Sequence, residues 1–504
     1  MRLPGERPGA SSREKIDVYM HTHRFGIAIM AAGKGTRLKS KRPKVLHEVG
    51  GRALLLHVIA AAKAVVPADQ ILCIVGHEAD RVRAAVASTG VRFVVQAEQK
   101  GTGHALQQVK AYFEAGEGGS TRPEHLLVLS GDVPLIRPET IEELCAVHLR
   151  EGAAMTILTT VPADPTGYGR VLRAAPGSAE VLAIVEQRSL TPEQRDAPEI
   201  NSGIYCFRVD ALFSKLDLLT PENSQRELYL TDVAGLLRLD GERVVAVEAR
   251  DVDEVLGANT IQEMMHLDQA MRLGKARQLM ASGVTIFRPD TCVIDAEVEV
   301  GADTVIEPVV QLLGSTRVGS ECTLRSYSVV RDSLLGDGVL LRNGCVLDRA
   351  EIADRAVLGP YAHLRPESWI GEGAHIGNFC ETKKVRVGRG SKANHLSYLG
   401  NAVIGERVNV GAGTITCNYD GFEKHVTTIE DGAFVGSDST LVAPVSIGLG
   451  AYVAASSCIT EDVPEGALAL GRSRQVTKPG WADERKARLE TRAARKSENK
   501  SIEK

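Results

Sequence analysis

The amino-acid sequence predicts two consecutive folds: an α/β domain with a mostly parallel, Rossmann-like sheet, and then a parallel β-helix of hexapeptide repeats. The first prediction comes from short apolar runs that alternate with helical patterns in the N-terminal half, which is typical of βαβ units. The second comes from aliphatic residues that recur every six residues from about residue 293, a period that neither a helix nor a simple strand produces.

In the N-terminal half, four apolar runs are predicted strands, and four amphipathic patterns are predicted helices. The strands are Phe25–Met30, Gln70–Val75, Val91–Val95 and Leu126–Leu129, and the helices are Ala53–Val66, Arg81–Ala87, His104–Phe113 and Glu139–Leu149. Ligands of such sheets bind beyond the carboxyl ends of the strands. The loops after Met30, Val75, Val95 and Leu129 are therefore the places to expect a site.

The six-residue repeat is carried by aliphatic residues that we expect to point inward. They are Val300, Ile306, Leu312, Val318, Leu324 and Val330; after a shift, Ile352, Leu358, Leu364, Ile370 and Ile376; and later Ile429, Val435, Leu441, Ile447, Val453 and Ile459. A β-helix can be only a scaffold for assembly. The pattern is interrupted at Glu381–Tyr398 and Thr416–Thr428, however, and loops on a solenoid are where function collects.

The composition excludes several classes of protein. The 60 basic and 64 acidic residues give a net charge of −4, so the basic surface of a nucleic-acid binder is not expected. Nine scattered cysteines without a CxxC pair indicate a reduced compartment and no cysteine zinc site. No stretch approaches the roughly 18 apolar residues of a membrane span, and the first 24 residues lack the apolar core of a signal peptide. We therefore expect a cytoplasmic protein that does not bind membranes.

The predicted organisation has five parts. Residues 1–24 are a disordered extension, residues 25–257 the α/β domain, residues 258–283 a helical linker arm, residues 284–475 the β-helix, and residues 476–504 a charged tail. For that tail, rich in Lys, Arg and Glu, a frayed helix or a solvated segment is expected, and a basic arm that touches an anionic ligand is the alternative.

A glycine-rich turn follows the first predicted strand. Small residues there let the backbone approach a ligand, and consecutive amide groups can hold a phosphate. The segment is neither a Walker A loop nor a dinucleotide fingerprint, and by itself it can be an ordinary tight turn. Lys34, Arg37 and Lys44 add positive charge suited to a triphosphate, although Lys44 alone can be a surface lysine. Asp132 follows another predicted strand, Leu126–Leu129, where it is either a turn residue or a Mg²⁺ ligand.

Together these motifs resemble the signature of sugar-nucleotide pyrophosphorylases. The matching segments are Met30–Arg37 with Pro43-Lys44, Gln96–Gln99, Gly101–His104, Gly131-Asp132, Gly167–Arg170, Ile184–Glu186 and Asn201–Gly203. With the β-helix, residues from about Phe25 to Trp481 are similar to the bacterial bifunctional N-acetylglucosamine-1-phosphate uridylyltransferase / glucosamine-1-phosphate acetyltransferase family. The resemblance implies a nucleotidyltransferase domain, a left-handed β-helix, synthesis of UDP-N-acetylglucosamine from small-molecule substrates, Mg²⁺ as cofactor, and a homotrimer.

The resemblance also implies the residues of the uridylyl site. Ala31, Ala32, Gly33, Lys34 and Lys44 would hold the nucleotide and its phosphates, and Gln96, Gly101 and Thr102 would read the uracil. Gly169, Glu186 and Asn201 would hold the sugar. Ser130, Gly131, Asp132 and Asn259 would also contact UTP or UDP-N-acetylglucosamine, and Asp132 and Asn259 would bind Mg²⁺. Some relatives have tyrosine where this chain has Ser130, which leaves that side-chain contact open. The reacting sugar phosphate is already an anion, so positioning and charge neutralisation suffice for catalysis.

Acetyl transfer to an amine needs a base, and His395 lies at a break in the repeat. A lone histidine is usually structural, but this one matches the family's catalytic histidine. By the same resemblance, Arg365, Lys383, Tyr398 and Asn409 would bind glucosamine-1-phosphate, and Ala412, Asn418, Tyr419, Ser437, Ala455 and Arg472 would bind acetyl-CoA. The acetyl site would form between neighbouring subunits of the trimer.

Three alternatives compete with this interpretation. The chain could be a nucleotidyltransferase whose β-helix only assembles subunits, or a non-catalytic oligomeric binding protein. His363 and His375 could instead ligate a metal, as in β-helical carbonic anhydrases, although the acetyltransferase motifs explain that region better.

Overall fold

The computed structural model describes residues 25–117, 122–175, 177–223 and 225–502. The predicted disordered extension, residues 1–24, lies outside them. The chain divides into two compact units, Met1–Arg317 and Val318–Lys504. No helix within the described residues is long and apolar enough to cross a membrane.

The first unit is built on a nine-stranded sheet. Its strands are β1 (Phe25–Ala31), β2 (Ile71–Val75), β3 (Arg92–Val95), β4 (His125–Ser130), β5 (Met155–Thr160), β6 (Arg170–Arg173), β7 (Val181–Val185), β8 (Ile200–Arg208) and β9 (Val244–Glu248). The order is β9-β5-β8-β4-β1-β2-β3, with β6 paired to β8 and β7 paired to β6. A two-stranded ribbon, Glu48–Val49 with Arg52–Ala53, lies outside this sheet.

The four strands predicted from the apolar runs form the parallel part of the sheet, β3-β2-β1-β4. Strand β8 was not anticipated, and it runs antiparallel to both of its neighbours, β4 and β5. The sheet is therefore mixed beyond β4. The direction of β8 could not be read from the sequence, because an apolar run has the same pattern in a parallel and in an antiparallel strand.

Helices cover both faces of this sheet. The helices of the unit are α1 (Leu54–Lys63), α2 (Ala79–Val86), α3 (Thr102–Glu114), α4 (Pro138–Arg150), α5 (Pro192–Arg195), α6 (Val209–Leu216), α7 (Asp232–Leu239) and α8 (Ile261–Ala281). Residues of β1 alternate between two apolar cores, with Ile27 and Ile29 in one and Ala28 in the other. This alternation is the two-residue period of a strand buried on both faces.

Helix α8 covers most of the predicted linker arm. It begins with a capping box in which Thr260 and Glu263 satisfy each other's backbone amides. Further along, Asp268 accepts a hydrogen bond from the Gly50 amide at 2.7 Å and pairs with Arg272, which also contacts Asp295 at 2.5 Å. The helix is thereby fixed to the ribbon and to the first β-helical coil within this unit. The domain boundaries themselves stay predictions.

The coils of the β-helix begin in the first unit and fill most of the second. The strands before residue 317 are Thr285–Ile286, Val293–Ile294, Glu299–Val300, Val305–Ile306 and Gln311–Leu313, and Arg317–Val318 lies at the division. The later strands are Thr323–Leu324, Val329–Arg331, Leu334–Leu335, Leu340–Leu341, Val346–Asp348, Ala350–Ile352, Val357–Leu358, His363–Leu364, Ser368–Ile370, His375–Asn378, Glu381–Val387, Lys392–His395, Tyr398–Ile404, Asn409–Val410, Ile415–Cys417, Thr427–Ile429, Phe434–Val435, Thr440–Val442, Val445–Ile447, Tyr452–Val453, Cys458–Ile459 and Leu468–Ala469.

The aliphatic residues of the repeat point inward, which confirms the β-helix. All of them are buried except Val300, which is half-buried. The phase shift after Val330 arises because several coils have 17 residues instead of 18, as the pairing of Thr323 with Leu340 shows. The expected interruption at Glu381–Tyr398 is of this kind and leaves no loop, since both ends lie in paired strands. Only the second interruption, Thr416–Thr428, carries a loop.

The end of the second unit is the helix α9 (Trp481–Ile502). Its described side chains are exposed from Trp481 to Arg495. The expectation of a frayed helix or a solvated segment for the charged tail, and the alternative of a basic arm, stay predictions.

Candidate active sites

A cavity of about 480 Å³ opens at the carboxyl edge of the parallel strands. Residues from three of the four predicted loops line it, those after Met30, Val95 and Leu129, whereas next to the fourth loop only the strand residue Ile74 does. Lys44, Val45 and Glu227 join them from more distant segments. The loop residues and strand ends are Met30, Ala32, Gly33, Lys34, Ile74, Gln96, Gln99, Gly101, Thr102, Ala105, Ser130 and Asp132. Glu227 was missed by the sequence analysis, because nothing in its local pattern connects it to this edge.

The glycine-rich turn packs directly on the segment that carries Lys44. Gly35 has a φ of +62°, and a Cβ there would lie 2.6 Å from the Cβ of Lys44. A side chain at this position would be strained and would also push Lys44 away. Glycine at position 35 is therefore what lets Lys44 reach the cavity.

Two oxygen atoms from distant segments converge on the Lys44 ammonium group. It forms an ion pair with Asp132 and donates to the Asn259 side-chain oxygen at 2.8 Å. Arg37 donates to the same oxygen at 2.7 Å. A carboxylate and an amide oxygen that already face one positive charge suit Mg²⁺, which is typically held by one or two protein oxygens together with substrate phosphates and water. Asp132 and Asn259 therefore fit the predicted metal site.

Two of the residues expected to read the uracil, Gln96 and Gly101, are hydrogen-bonded to each other, and the third, Thr102, is hydrogen-bonded to a different segment. Gln96 is buried, and its side-chain nitrogen donates to the Gly101 carbonyl oxygen at 3.0 Å and lies 3.1 Å from Nδ1 of His104. The Thr102 hydroxyl accepts a hydrogen bond from the Leu230 amide at 3.0 Å. These contacts fix the wall of the cavity that faces the glycine-rich turn.

The residues expected to hold the sugar lie beside the cavity, on β8 and the segments next to it. The Asn201 amide donates to the Gly169 carbonyl at 2.9 Å, and its side-chain nitrogen donates to the Tyr205 hydroxyl at 2.8 Å. Burial raises the pKa of Glu186, and a hydrogen bond from Thr231 at 3.1 Å partly opposes the shift.

Of the other predicted residues, Ala31 ends β1 in the core, and the amide of Gly131 donates to the Met30 carbonyl at 3.0 Å.

Tyr168 is a further side chain near this site that the sequence analysis did not single out. Burial, followed by the negative charges of Glu263 and Asp132, raises the pKa of Tyr168 to about 12. It stays a neutral hydroxyl at physiological pH. Its position beside Gly169 in the Gly167–Arg170 motif was the available signal.

In the second unit, His395 lies at the end of the strand Lys392–His395 and is exposed. It is the register partner of Asn378 in the preceding coil. The Nδ1 atom of the imidazole lies 2.6 Å from the side-chain oxygen of Asn378. The other ring nitrogen, Nε2, has no hydrogen-bond partner among the described residues.

Three cations lie close together: Lys383 is on a strand of an adjoining sheet, Arg365 directly follows another strand of that sheet, and Lys424 is in the loop Thr416–Thr428. The positive charges of Lys424 and then Arg365 lower the pKa of Lys383, and Arg365 pairs with Glu381 at 2.8 Å. Tyr398 is the register partner of Glu381. Like charges gathered in this way suit an anionic group such as a phosphate. Lys424 was missed, although it lies in the predicted loop Thr416–Thr428.

The residues expected to bind acetyl-CoA lie on later coils. Ala412 accepts a hydrogen bond from the Asp438 amide at 2.6 Å, and Ser437 accepts one from the Ser456 amide at 2.8 Å, so Ala412, Ser437 and Ala455 belong to successive corners. Asn418 is buried and donates to Asn401 at 2.8 Å, whereas Tyr419 is exposed on the loop. Asn409 pairs with Lys392. Arg472 is exposed near the end of the last coil, and among the described residues no hydrogen bond or ion pair joins it to the others.

The alternative metal site at His363 and His375 is not supported. The two histidines lie on strands of different sheets. Within the described parts of the chain, no three His, Cys, Asp or Glu side chains are grouped as a metal site.

The α/β domain, its glycine-rich turn and the attached hexapeptide coils define a nucleotidyltransferase with a β-helical C-terminal part. In agreement, a family model described as a MobA-like NTP transferase domain matches residues 27–197. The chain is also 60% identical over 470 residues to the bifunctional protein GlmU of Koribacter versatilis (strain Ellin345), which covers 93% of this chain and 99% of the relative.

More distant relatives have the same name. The GlmU of Solibacter usitatus (strain Ellin6076) is 48% identical over 465 residues, and that of Clostridioides difficile (strain 630) is 42% identical over 461 residues; each alignment covers 92% of this chain and 98% of the relative. The chain belongs to the bifunctional GlmU family. This membership confirms the prediction of an enzyme with uridylyltransferase and acetyltransferase activities.

Proposed function

We propose that the first cavity transfers UMP from UTP to N-acetylglucosamine-1-phosphate, and that the β-helix supplies this substrate by acetylating glucosamine-1-phosphate. The observation that carries the first half is the convergence of Asp132 and Asn259 on Lys44, since Lys44 and Asp132 line the cavity at the carboxyl edge of the sheet. The product of the two steps is UDP-N-acetylglucosamine.

In the uridylyl step, a phosphate oxygen of the sugar phosphate forms a bond to the α-phosphorus of UTP. The bond between that phosphorus and the oxygen that leads to the β-phosphorus breaks, and pyrophosphate leaves with its electron pair. Lys44 and Arg37 offset the negative charge that accumulates on the phosphates, and Lys34 lines the same cavity. The nucleophile is already ionised, so positioning and electrostatic stabilisation carry the catalysis.

Mg²⁺ would be held by Asp132 and Asn259 and would neutralise phosphate charge when bound. Gln96, Gly101 and Thr102 would orient the uracil, and Gly169, Glu186 and Asn201 would hold the sugar. The side-chain oxygen of Asn201 accepts from the Gly203 amide at 3.1 Å while its nitrogen donates to Tyr205. Because both ends of the amide are engaged, its orientation is set before a substrate arrives.

In the acetyl step, the amine nitrogen of glucosamine-1-phosphate attacks the thioester carbonyl of acetyl-CoA. The new C–N bond replaces the C–S bond, and the CoA thiolate leaves. His395 takes the proton that the nitrogen must lose. Arg365, Lys383 and Lys424 would bind the phosphate, with Tyr398 and Asn409 against the sugar, and the corner residues Ala412, Ser437 and Ala455 would contact the cofactor.

The proposed acetyl site is open on one chain, since His395, Tyr419 and Arg472 are exposed. This supports the proposal that the enzyme is a homotrimer in which a neighbouring subunit completes the site. We also propose a cytoplasmic location, because all nine cysteines are free thiols, as expected in a reducing compartment.

Incubation of the purified chain with glucosamine-1-phosphate, acetyl-CoA, UTP and Mg²⁺, followed by mass spectrometry, tests the proposal. UDP-N-acetylglucosamine with an equal amount of free CoA is the expected result. Intact acetyl-CoA together with product formed only from preacetylated sugar phosphate would leave a nucleotidyltransferase with a β-helical scaffold. Omission of either sugar phosphate is the control for hydrolysis.

A further inference from the structure

The corner of the β-helix that carries His395 is held in an unusually close arrangement. Gly377 precedes Asn378, and a Cβ at position 377 would lie 1.9 Å from the carbonyl oxygen of Asn394. Only glycine lets the two coils approach this closely without displacing the backbone. The Leu396 amide also donates to the Asn378 carbonyl at 3.0 Å, which ties the two strand ends together just after His395.

This arrangement determines which nitrogen of His395 carries a proton. A neutral imidazole has one donor and one acceptor nitrogen, and an amide oxygen only accepts. With the side-chain oxygen of Asn378 2.6 Å from Nδ1, the hydrogen is on Nδ1 and the lone pair is on Nε2. Among the described residues, this is the one hydrogen bond to the ring.

We propose that Asn378 is the positioning residue for His395: its amide oxygen holds the ring in the tautomer and orientation in which Nε2 accepts the amine proton. The inference rests on the proposed function of His395. It assigns to a neutral amide the role that a carboxylate has in many catalytic triads. A neutral partner fixes the ring without adding a negative charge that would stabilise its protonated form.

Other groups around the ring must be considered in any test that uses pH. His375, on the neighbouring strand, interacts electrostatically with His395, and the positive charges of Arg342 and Lys392 act on His375. Lys392 lies on the same strand as His395. All of these side chains stay unchanged in the variants below.

The experiment measures CoA release by the full chain from pH 5.5 to 9.5. Asn378→Leu keeps the approximate size of the side chain and removes the hydrogen-bond acceptor. We expect kcat to fall about 100-fold, because the orientation of a base acts on the chemical step. The KM values for acetyl-CoA and glucosamine-1-phosphate should stay within about threefold of those of the unchanged enzyme. Asn378→Asp restores an acceptor, so activity returns and the acidic limb of the pH profile moves up by about one unit.

Two controls separate the possible failures. Asn343 occupies the equivalent position two coils earlier, since Leu341 pairs with Leu358 and Leu358 with Ile376; Asn343→Leu should leave the profile unchanged. His395→Ala tests the base itself. If His395→Ala is inactive but Asn378→Leu keeps the kcat of the unchanged enzyme, the positioning role is overturned and the base assignment stands. The same conclusion follows if His395→Ala is inactive but the acidic limb of the pH profile of Asn378→Asp does not move. If His395→Ala is fully active, the base assignment and this inference both fail.

Discussion

The two proposed sites are assembled in different ways. In the α/β domain, Lys44, Asp132 and Asn259 come from segments as much as 215 residues apart and meet at the edge of a cavity that Lys44 and Asp132 line. In the β-helix, Asn378 and His395 are 17 residues apart and meet because one coil lies on the next. A sheet with crossover connections brings distant loops to one edge, whereas a solenoid joins only neighbouring coils. The first site is therefore enclosed by its own chain, and the second is open.

Asp132→Ala should have the largest effect, and it is confined to the first site. We expect pyrophosphate release to fall by roughly 1,000-fold or more, since one of two predicted metal-binding oxygens is lost. Acetyl transfer, measured as CoA release, should be unchanged. Asp80→Ala, at an exposed position on α2, is the matched control. Loss of both activities would contradict the independence of the two sites.

His395→Ala is the corresponding test of the open site. Without the base, acetyl transfer should fall by roughly 100- to 10,000-fold. Uridylyl transfer to preacetylated sugar phosphate should stay at the level of the unchanged enzyme. Acetyl transfer at the original rate, with the melting temperature unaltered, would show that another group takes the proton.

Glycine-to-alanine changes should distinguish the packing of a coil from that of a helix. A Cβ at Gly388 would lie 2.4 Å from the Gly405 backbone, so Gly388→Ala should destabilise the β-helix by about 3 kcal/mol through overpacking. Gly274, within α8, has open space at its Cβ, and Gly274→Ala should stabilise by about 1 kcal/mol. Urea unfolding measures both changes. A destabilisation at position 274 as large as that at position 388 would contradict this contrast.

Acid should weaken the α/β domain through a buried histidine. His148 contacts His125 at 3.1 Å and Thr156 at 2.8 Å, and burial, followed by the charge of His125, lowers the pKa of His148 to about 3. The unfolded chain binds this proton more readily, so stability falls as pH drops below about 6.5, by about 2 kcal/mol at pH 5. Calorimetric unfolding of His148→Gln should show a correspondingly smaller loss between pH 7 and pH 5. An identical loss in both proteins would exclude His148 as the cause.

The sequence alone determined the features that depend on local periodicity. A six-residue spacing of aliphatic residues is compatible with few backbone arrangements, so it predicted the β-helix and its inward side chains, such as Leu324 and Ile376. The apolar runs and the turns after them predicted the loops that line the cavity, including those that carry Gly33 and Asp132. The family motifs identified His395 and Asn259 as candidates, although their roles stay predictions.

Tertiary structure alone decided which of these residues meet. The antiparallel direction of β8, the position of Glu227 in the cavity, the contact of Arg37 with Asn259 and the approach of Lys424 to Lys383 have no local signal. Each depends on the order of strands or on the path of a loop, which is set by packing between segments far apart in the chain. A local pattern shows which face of a helix or strand is buried, but the segment that packs against that face depends on the free energy of the whole fold.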